Sequence, residues 1–148
     1  MGKFTDGAFR IAPDQIDIPT SVGQHFAQLA DDKQLWFDIH SAFTGIKPPG
    51  IPTIRIGPVS SGAAVVADAE VLREIQHQHR STLGIEMELY GMYAAARDCS
   101  SPRPTAVGIK SVCDFADKSK GDSFQEYASH VSARALQAFC ERYSDEAF

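Results

Sequence analysis

Two acidic segments carry the residues whose types and spacing could do chemistry. Glu86 and Glu88 flank Met87 at the end of one apolar run. Asp114 and Asp117 follow the end of another. Residues two apart on an extended backbone share a face, so Glu86 and Glu88 are expected to make one side of their strand end acidic. Open α/β sheets place ligands at such strand ends, although acidic residues also decorate helix N-termini and turns, and both interpretations stay open.

The histidines and cysteines predict no metal centre. His77 and His79 are two residues apart and do not share a face of a helix, so we expect no metal there. The three cysteines, Cys99, Cys113 and Cys140, are odd in number and widely spaced, which favours reduced thiols over a disulfide framework or a zinc ribbon. We therefore expect a protein without a metal or other cofactor.

Length and charge limit the class of protein. A chain of 148 residues, 43% of them hydrophobic, can form one domain with its own core. A formal net charge of -5 argues against nucleic acid as a partner, because phosphate binding needs clustered Lys and Arg. The longest basic gathering is interrupted by Asp114 and Asp117 and is interpreted as a solvated loop: Lys110, Lys118 and Lys120. No apolar run is long enough for a membrane helix or a secretory signal, so we expect a cytoplasmic protein with no membrane partner.

Alternating strands and helices must position the acidic segments. The first 20 residues predict loop or short extended structure, the apolar spacing over 21–43 predicts one or two amphipathic helices, and Pro and Gly predict a loop at 45–52. The strands and helices that follow are predicted at 54–60, 69–79, 82–87, 88–99, 105–112 and 123–142, in strand-helix order. This alternation predicts an α/β fold with a largely parallel sheet, which with three strands is expected to be part of a larger one.

Three motifs in succession suggest a family. They are Val-Ser-Ser-Gly-Ala-Ala-Val-Val at 59–66, Gly-Ile-Glu-Met-Glu at 84–88 and Ser-Val-Cys-Asp-Phe-Ala-Asp at 111–117. Together they resemble the C-terminal half of the purine nucleoside phosphorylase and methylthioadenosine/S-adenosylhomocysteine nucleosidase superfamily, over about residues 54 to 143. The resemblance implies a three-layer α/β/α fold with a mixed, largely parallel sheet. It also implies that residues 1–148 are the C-terminal part of a nucleoside phosphorylase-like domain, so the sheet in this chain is incomplete.

The resemblance gives each acidic residue a role in substrate binding or catalysis. Asp114 matches the carboxyl group that bonds N7 and the exocyclic group of a purine and assists its departure. Glu88 matches the acid that binds the ribose 2′- and 3′-hydroxyls, Met87 the side chain packed on the sugar, and Glu86 the acid that supports them. Glycosidic cleavage builds positive charge on the ribose and negative charge on the base, so carboxyl groups at these two places suit the reaction.

The base-binding positions depart from the family pattern. Val65 and Val66 match residues that line the purine, but nucleosidases carry an aromatic residue in place of Val65, so stacking on the base is expected to be poorer. Cys113 stands where the family usually has Ser, which weakens one hydrogen bond in the loop before Asp114.

The function implied is purine nucleoside binding and N-glycosidic bond cleavage, with water or phosphate as the co-substrate. The groups that position the co-substrate belong to the N-terminal half of the family's domain and are not visible here, so the isolated chain is expected to be inactive. The alternatives are a non-catalytic, nucleoside-binding regulatory module of a larger signalling protein and a structural oligomerisation fragment. Members of the family self-associate, so a homo-oligomer is expected in each case.

Overall fold

A computed structural model of the chain describes residues 2–5, 8–11, 14–62, 81–113 and 123–147. The strands and helices in these ranges follow one another as β1 (Gly2–Thr5), β2 (Ala8–Ile11), α1 (Thr20–Asp31), α2 (Lys33–Ala42), β3 (Val59–Ser61), β4 (Gly84–Glu86), α3 (Leu89–Asp98) and α4 (Gln125–Ala147). The helix predicted at 69–79 lies outside the described residues. None of the helices in these ranges combines the length and apolar character that crossing a bilayer requires.

Asp32 divides the amphipathic segment at 21–43 into two helices. Its backbone leaves the helical conformation between α1 and α2, and its side chain accepts a hydrogen bond of 2.9 Å from the N–H of Leu35. Its other carboxylate oxygen lies 2.7 Å from the Arg142 guanidinium of α4. The Leu35 N–H and then Arg142 lower the pKa of Asp32. One carboxylate therefore caps α2 and ties it to α4.

The hydrophobic core lies where α1 and α2 pack against α4. Phe26 and Phe139 stack with ring centroids 4.2 Å apart, and the Trp36 indole N–H donates to the Leu29 carbonyl at 3.0 Å. The other buried members of this cluster are Val22, Ile39, Tyr127, Val131, Ala135 and Ala138. Their spacing of three and four residues is the helical periodicity seen in the sequence, which confirms the prediction of amphipathic helices at both ends of the chain.

Two short sheets complete the fold of the described residues. Strands β1 and β2 form an antiparallel hairpin in the segment predicted as loop or short extended structure. Strands β3 and β4 pair in parallel, from Val59 opposite Gly84 to Ser61 opposite Glu86. The chain is thus α/β, and its parallel pair agrees with the prediction that successive strands run in the same direction.

The strand predictions are partly wrong. Residues 54–58 form no strand, and β4 covers only part of the predicted 82–87. The strand predicted at 105–112 is absent from the described chain. Two of its backbone donors bond side chains instead: the N–H of Gly108 bonds the Tyr93 hydroxyl at 2.9 Å, and the N–H of Ser111 bonds the Ser132 hydroxyl at 3.1 Å. Donors satisfied in this way need no neighbouring strand.

Truncating Phe139 to Ala is expected to lower the free energy of unfolding by about 3–5 kcal/mol, because it leaves a cavity beside Phe26. The matched control is Leu136→Ala on the same helix, where the side chain is 43% exposed. That change is expected to cost less than about 1.5 kcal/mol. Urea unfolding followed by circular dichroism measures both, and equal losses would contradict the placement of Phe139 in the core.

Candidate functional site

Glu86 joins the end of β4 to the start of α3. Its side chain is only 5% exposed, and its Oε2 accepts hydrogen bonds from the N–H groups of Glu88 at 2.7 Å and Leu89 at 2.8 Å. The first N–H groups of a helix have no partner inside the helix. Glu86 therefore acts as the cap of α3, although it belongs to the preceding strand.

The same contacts keep Glu86 ionised. Burial alone raises the pKa of Glu86, but hydrogen bonds from the Ser61 hydroxyl and from the N–H groups of Leu89 and Glu88 outweigh burial and hold the pKa below its ordinary value of 4.5. The positive charge of Lys110 acts in the same direction. The second oxygen, Oε1, is buried and has no hydrogen-bond partner among the described residues.

Met87 and Glu88 lie on the surface at the turn between β4 and α3. Met87 is 45% exposed and the Glu88 side chain 71% exposed. Because β4 ends at Glu86 and Glu88 already has helical dihedral angles, strand alternation does not reach Glu88. The expectation that Glu86 and Glu88 form one acidic face is therefore wrong: one carboxylate is buried as a cap and the other faces solvent.

Lys110 approaches this turn from the segment at 105–113. Its ammonium donates to Glu88 Oε2 at 3.0 Å. A β-carbon added at Gly108 would meet the end of the Leu89 side chain, so a larger residue there would require Leu89 to move. Lys110 is expected from the sequence to lie in a solvated loop, and its contact with Glu88 is not predicted. A lone cation near the end of an apolar run was the only available signal.

Of the remaining predicted site residues, Cys113 is the one that lies within the described ranges. Cys113 is partly buried, three residues beyond Lys110 in the chain. Val65, Val66 and Asp114 lie outside the described residues. The structure thus brings together Glu86, Met87, Glu88 and the segment that leads to Asp114.

The metal-ligating side chains of the described ranges do not cluster at this turn. Within the described ranges, no group of three His, Cys, Asp or Glu side chains could hold a metal ion. His77 and His79 lie outside those ranges. No disulfide joins Cys99, Cys113 and Cys140.

An apolar cavity between α3 and α4 is separate from the acidic turn. Its volume is about 480 Å³, and its lining includes Met92, Cys99, Val107 and Leu136. No carboxylate lines it. We therefore take the turn around Glu86 and Glu88, and not this cavity, as the candidate site.

Comparison with known proteins finds relatives that are longer than this chain. The chain is 35% identical over 136 residues to the uncharacterized protein y4jS of Sinorhizobium fredii, a match that covers 89% of this chain and 33% of that protein. It is 29% identical over 75 residues to the ATP nucleosidase Cap17 of Escherichia coli, which covers 51% of this chain and 14% of that protein. The chain thus spans a third or less of the length of these relatives. No family model and no solved structure matches.

The similarity to Cap17 agrees with the superfamily resemblance at a coarse level. It is similarity to a nucleosidase-type protein over half of this chain.

The Glu86→Gln variant is expected to lose about 1–2 kcal/mol of stability at pH 7, because a neutral amide replaces a charged helix cap. A carboxyl group whose pKa is lowered by folding stabilises the protein above its ordinary pKa, and this contribution disappears as the pH falls through the folded-state value. The wild type should therefore lose stability as the pH falls below about 4.5, and Glu86→Gln should lose less.

Urea unfolding at a series of pH values tests this expectation. The matched control is Glu141→Gln, which changes an exposed carboxylate on α4 and should keep the acid-induced loss of the wild type. An acid-induced loss that is equally large in Glu86→Gln would contradict the capping role of an ionised Glu86.

Proposed function

We propose that this chain is part of a nucleosidase-type enzyme that cleaves the N-glycosidic bond of a purine nucleoside or of its nucleotide. In this proposal residues 1–148 form the C-terminal part of a three-layer α/β/α domain, and the rest of its sheet is supplied by other parts of the protein. Similarity to an ATP nucleosidase supports the reaction class. The parallel β3–β4 pair followed by α3 is compatible with the proposed fold.

The observation that carries the proposal is the turn between β4 and α3. The Glu86 carboxylate accepts the hydrogen bonds of the N–H groups at the start of α3. The Glu88 carboxylate is therefore not needed as a cap and remains on the surface beside Met87. The two oxygens of an ionised carboxylate accept several hydrogen bonds, which suits a pair of neighbouring sugar hydroxyls. An apolar side chain beside the carboxylate suits the C–H face of the same sugar. We therefore propose that Glu88 binds the ribose 2′- and 3′-hydroxyls and that Met87 packs against the ring.

Asp114 is the proposed general acid. Lys110 reaches Glu88, and four residues of extended chain span at most about 14 Å, so covalent geometry leaves Asp114 within reach of a ligand held at Glu88. A protonated Asp114 would donate its proton to N7 of the departing purine, while the ribose gains positive charge close to Glu88. Val65 and Val66 would line the base.

The attacking group is water or phosphate, and we assign its positioning to parts of the protein outside residues 1–148. The Cys113 thiol would sit beside Asp114 as a weaker hydrogen-bond donor than the Ser of the superfamily pattern. We further propose a cytoplasmic homo-oligomer. Its support is the set of large apolar side chains exposed in the described ranges, among them Phe37, Ile46 and Val112.

The second candidate function is a non-catalytic nucleoside-binding module within a longer regulatory protein. It is favoured by one observation, that the chain matches 33% of one relative and 14% of another. Such a module would keep the ribose contact at Glu88 without turnover. Binding of a nucleoside without release of its base would distinguish this function from the enzyme.

We expect the full protein that carries these residues to release free base from adenosine, inosine, methylthioadenosine or ATP, and residues 1–148 alone to release little or none. Asp114→Asn should lower kcat at least about 100-fold, because the amide keeps the size of the side chain but cannot serve as the acid. Chromatography of the released base measures each rate.

The matched control is Asp98→Asn, which changes an exposed carboxylate at the end of α3 and should retain full turnover. Unchanged turnover in Asp114→Asn would refute the leaving-group role. Rapid base release by residues 1–148 alone would refute the proposal that groups outside these residues position the attacking water or phosphate.

A further inference from the structure

Ser132 on α4 makes a paired contact with Ser111. The Ser132 hydroxyl oxygen accepts from the N–H of Ser111 at 3.1 Å and donates to the Ser111 hydroxyl at 2.8 Å. One side chain thus uses its only donor and one of its acceptor positions on a single residue. Nothing in the function proposed above uses Ser132.

The contact matters because the segment at 105–113 has no strand partner in the described chain. Its backbone is held by two hydroxyl groups, Tyr93 of α3 at Gly108 and Ser132 of α4 at Ser111. Lys110 lies between these two anchors and is the immediate neighbour of the second. The position from which the Lys110 side chain starts is therefore set by Ser132.

Ser132 is fixed in turn by the core. Its neighbour Val131 is 8% exposed and Ala135, one turn later, is 2% exposed, so this part of α4 is packed against the other helices. The hydroxyl of Ser132 is carried by a rigid helix, whereas the residue that it holds belongs to an irregular segment. The packing of α4 therefore fixes the Ser132 hydroxyl, and that hydroxyl fixes Ser111.

The ion pair between Lys110 and Glu88 depends on this support. Lys110 and Glu88 have side chains 53% and 71% exposed and lie 3.0 Å apart. An exposed pair of this kind contributes little by itself, because holding two long side chains in one geometry costs conformational entropy. Fixing the backbone of Lys110 removes part of that cost and makes the pair dependent on its anchor.

We infer that Ser132 is a positioning residue for the candidate site: it holds Ser111, so that Lys110 can hold the Glu88 carboxylate in one orientation. The importance of this role for ligand binding rests on the proposed function, in which Glu88 binds the ribose. The transmission from Ser132 to Glu88 itself needs no ligand. It can therefore be tested separately.

The first experiment is NMR of residues 1–148 without ligand. Ser132→Ala is expected to raise the exchange rate of the Ser111 amide about 10-fold, the size of effect that losing one hydrogen bond produces. It should also shift the side-chain carboxyl ¹³C signal of Glu88 in the direction that Lys110→Met shifts it. Ser132→Thr keeps the hydroxyl and should restore both signals.

The matched control is Ser129→Ala, an exposed serine on the same helix that should change neither signal. If Ser132→Ala does not fold, the same two signals are measured in Ser132→Cys. The thiol is nearly the size of the hydroxyl but is a poor hydrogen-bond acceptor. A folded variant with an unchanged Glu88 signal would overturn the inference, whether or not the protein binds a nucleoside.

The second experiment separates positioning from general loss of structure. A double-mutant cycle combines Ser132→Ala with Lys110→Met, which alters an exposed side chain. If Ser132 acts through Lys110, Ser132→Ala should leave the Glu88 signal unchanged in the Lys110→Met background. An equal shift in both backgrounds would show that Ser132 reaches Glu88 by another route, and would overturn the inference.

Calorimetry with adenosine and the full protein then tests the link to binding. Ser132→Ala should weaken adenosine affinity about 3- to 10-fold, and Ser132→Thr should restore it. Wild-type protein that binds no adenosine would count against the proposed function but not against the transmission seen by NMR. Adenosine affinity that is unchanged in Ser132→Ala, with wild-type binding intact, would overturn the role of Ser132 in the site.

Discussion

A buried carboxylate fixes the direction in which the chain leaves the small parallel sheet. Glu86 sits 5% exposed at the end of β4 and accepts two N–H groups at the start of α3. Burying a charge is unfavourable unless hydrogen bonds compensate, and bonds to charged groups are the strong ones in proteins. The charge on Glu86 is therefore stable only while α3 begins at this place. Met87 and Glu88 are on the surface as a consequence of that arrangement.

The second element of the site is the segment at 105–113, which pairs with no strand in the described chain. Residues 105–113 run beside α3, but hydroxyl groups of Tyr93 and Ser132 replace the carbonyl groups of a neighbouring strand. This substitution frees the segment from strict strand geometry. It also makes its path depend on helices α3 and α4, so that a residue of α4 can influence the Glu88 carboxylate at the start of α3.

The sequence predicted the helices better than the strands, for a physical reason. An apolar stripe at helical spacing marks α1, α2 and α4, and the acidic pair at Asp31 and Asp32 marks the break between the first two. Strands have weaker local signals, because their hydrogen bonds go to distant residues. Strand β3 begins only after Gly57 and Pro58, and in the predicted third strand the N–H groups of Gly108 and Ser111 bond hydroxyl groups.

The site shows the same limit. Strand alternation placed Glu86 and Glu88 on one face, but a strand that ends one residue earlier changes the environment of the next side chain completely. The pairing of Lys110 with Glu88 spans 22 residues and has no local signature. The roles proposed for Asp114, Val65 and Val66 rest on sequence alone.

The helical core has a consequence for the order in which this chain folds. The His130 ring donates to the Ile39 carbonyl across 91 residues, and His40 bonds the Tyr127 hydroxyl across 87. Closing a loop of that length costs about 4 kcal/mol of chain entropy, so contacts between α2 and α4 form only when several of them form together. The neighbouring helices α1 and α2 can associate early, whereas their closure by α4 is a late step. The acidic turn lies inside this loop, but its capping hydrogen bonds join residues two and three apart, so the turn can form before the loop closes.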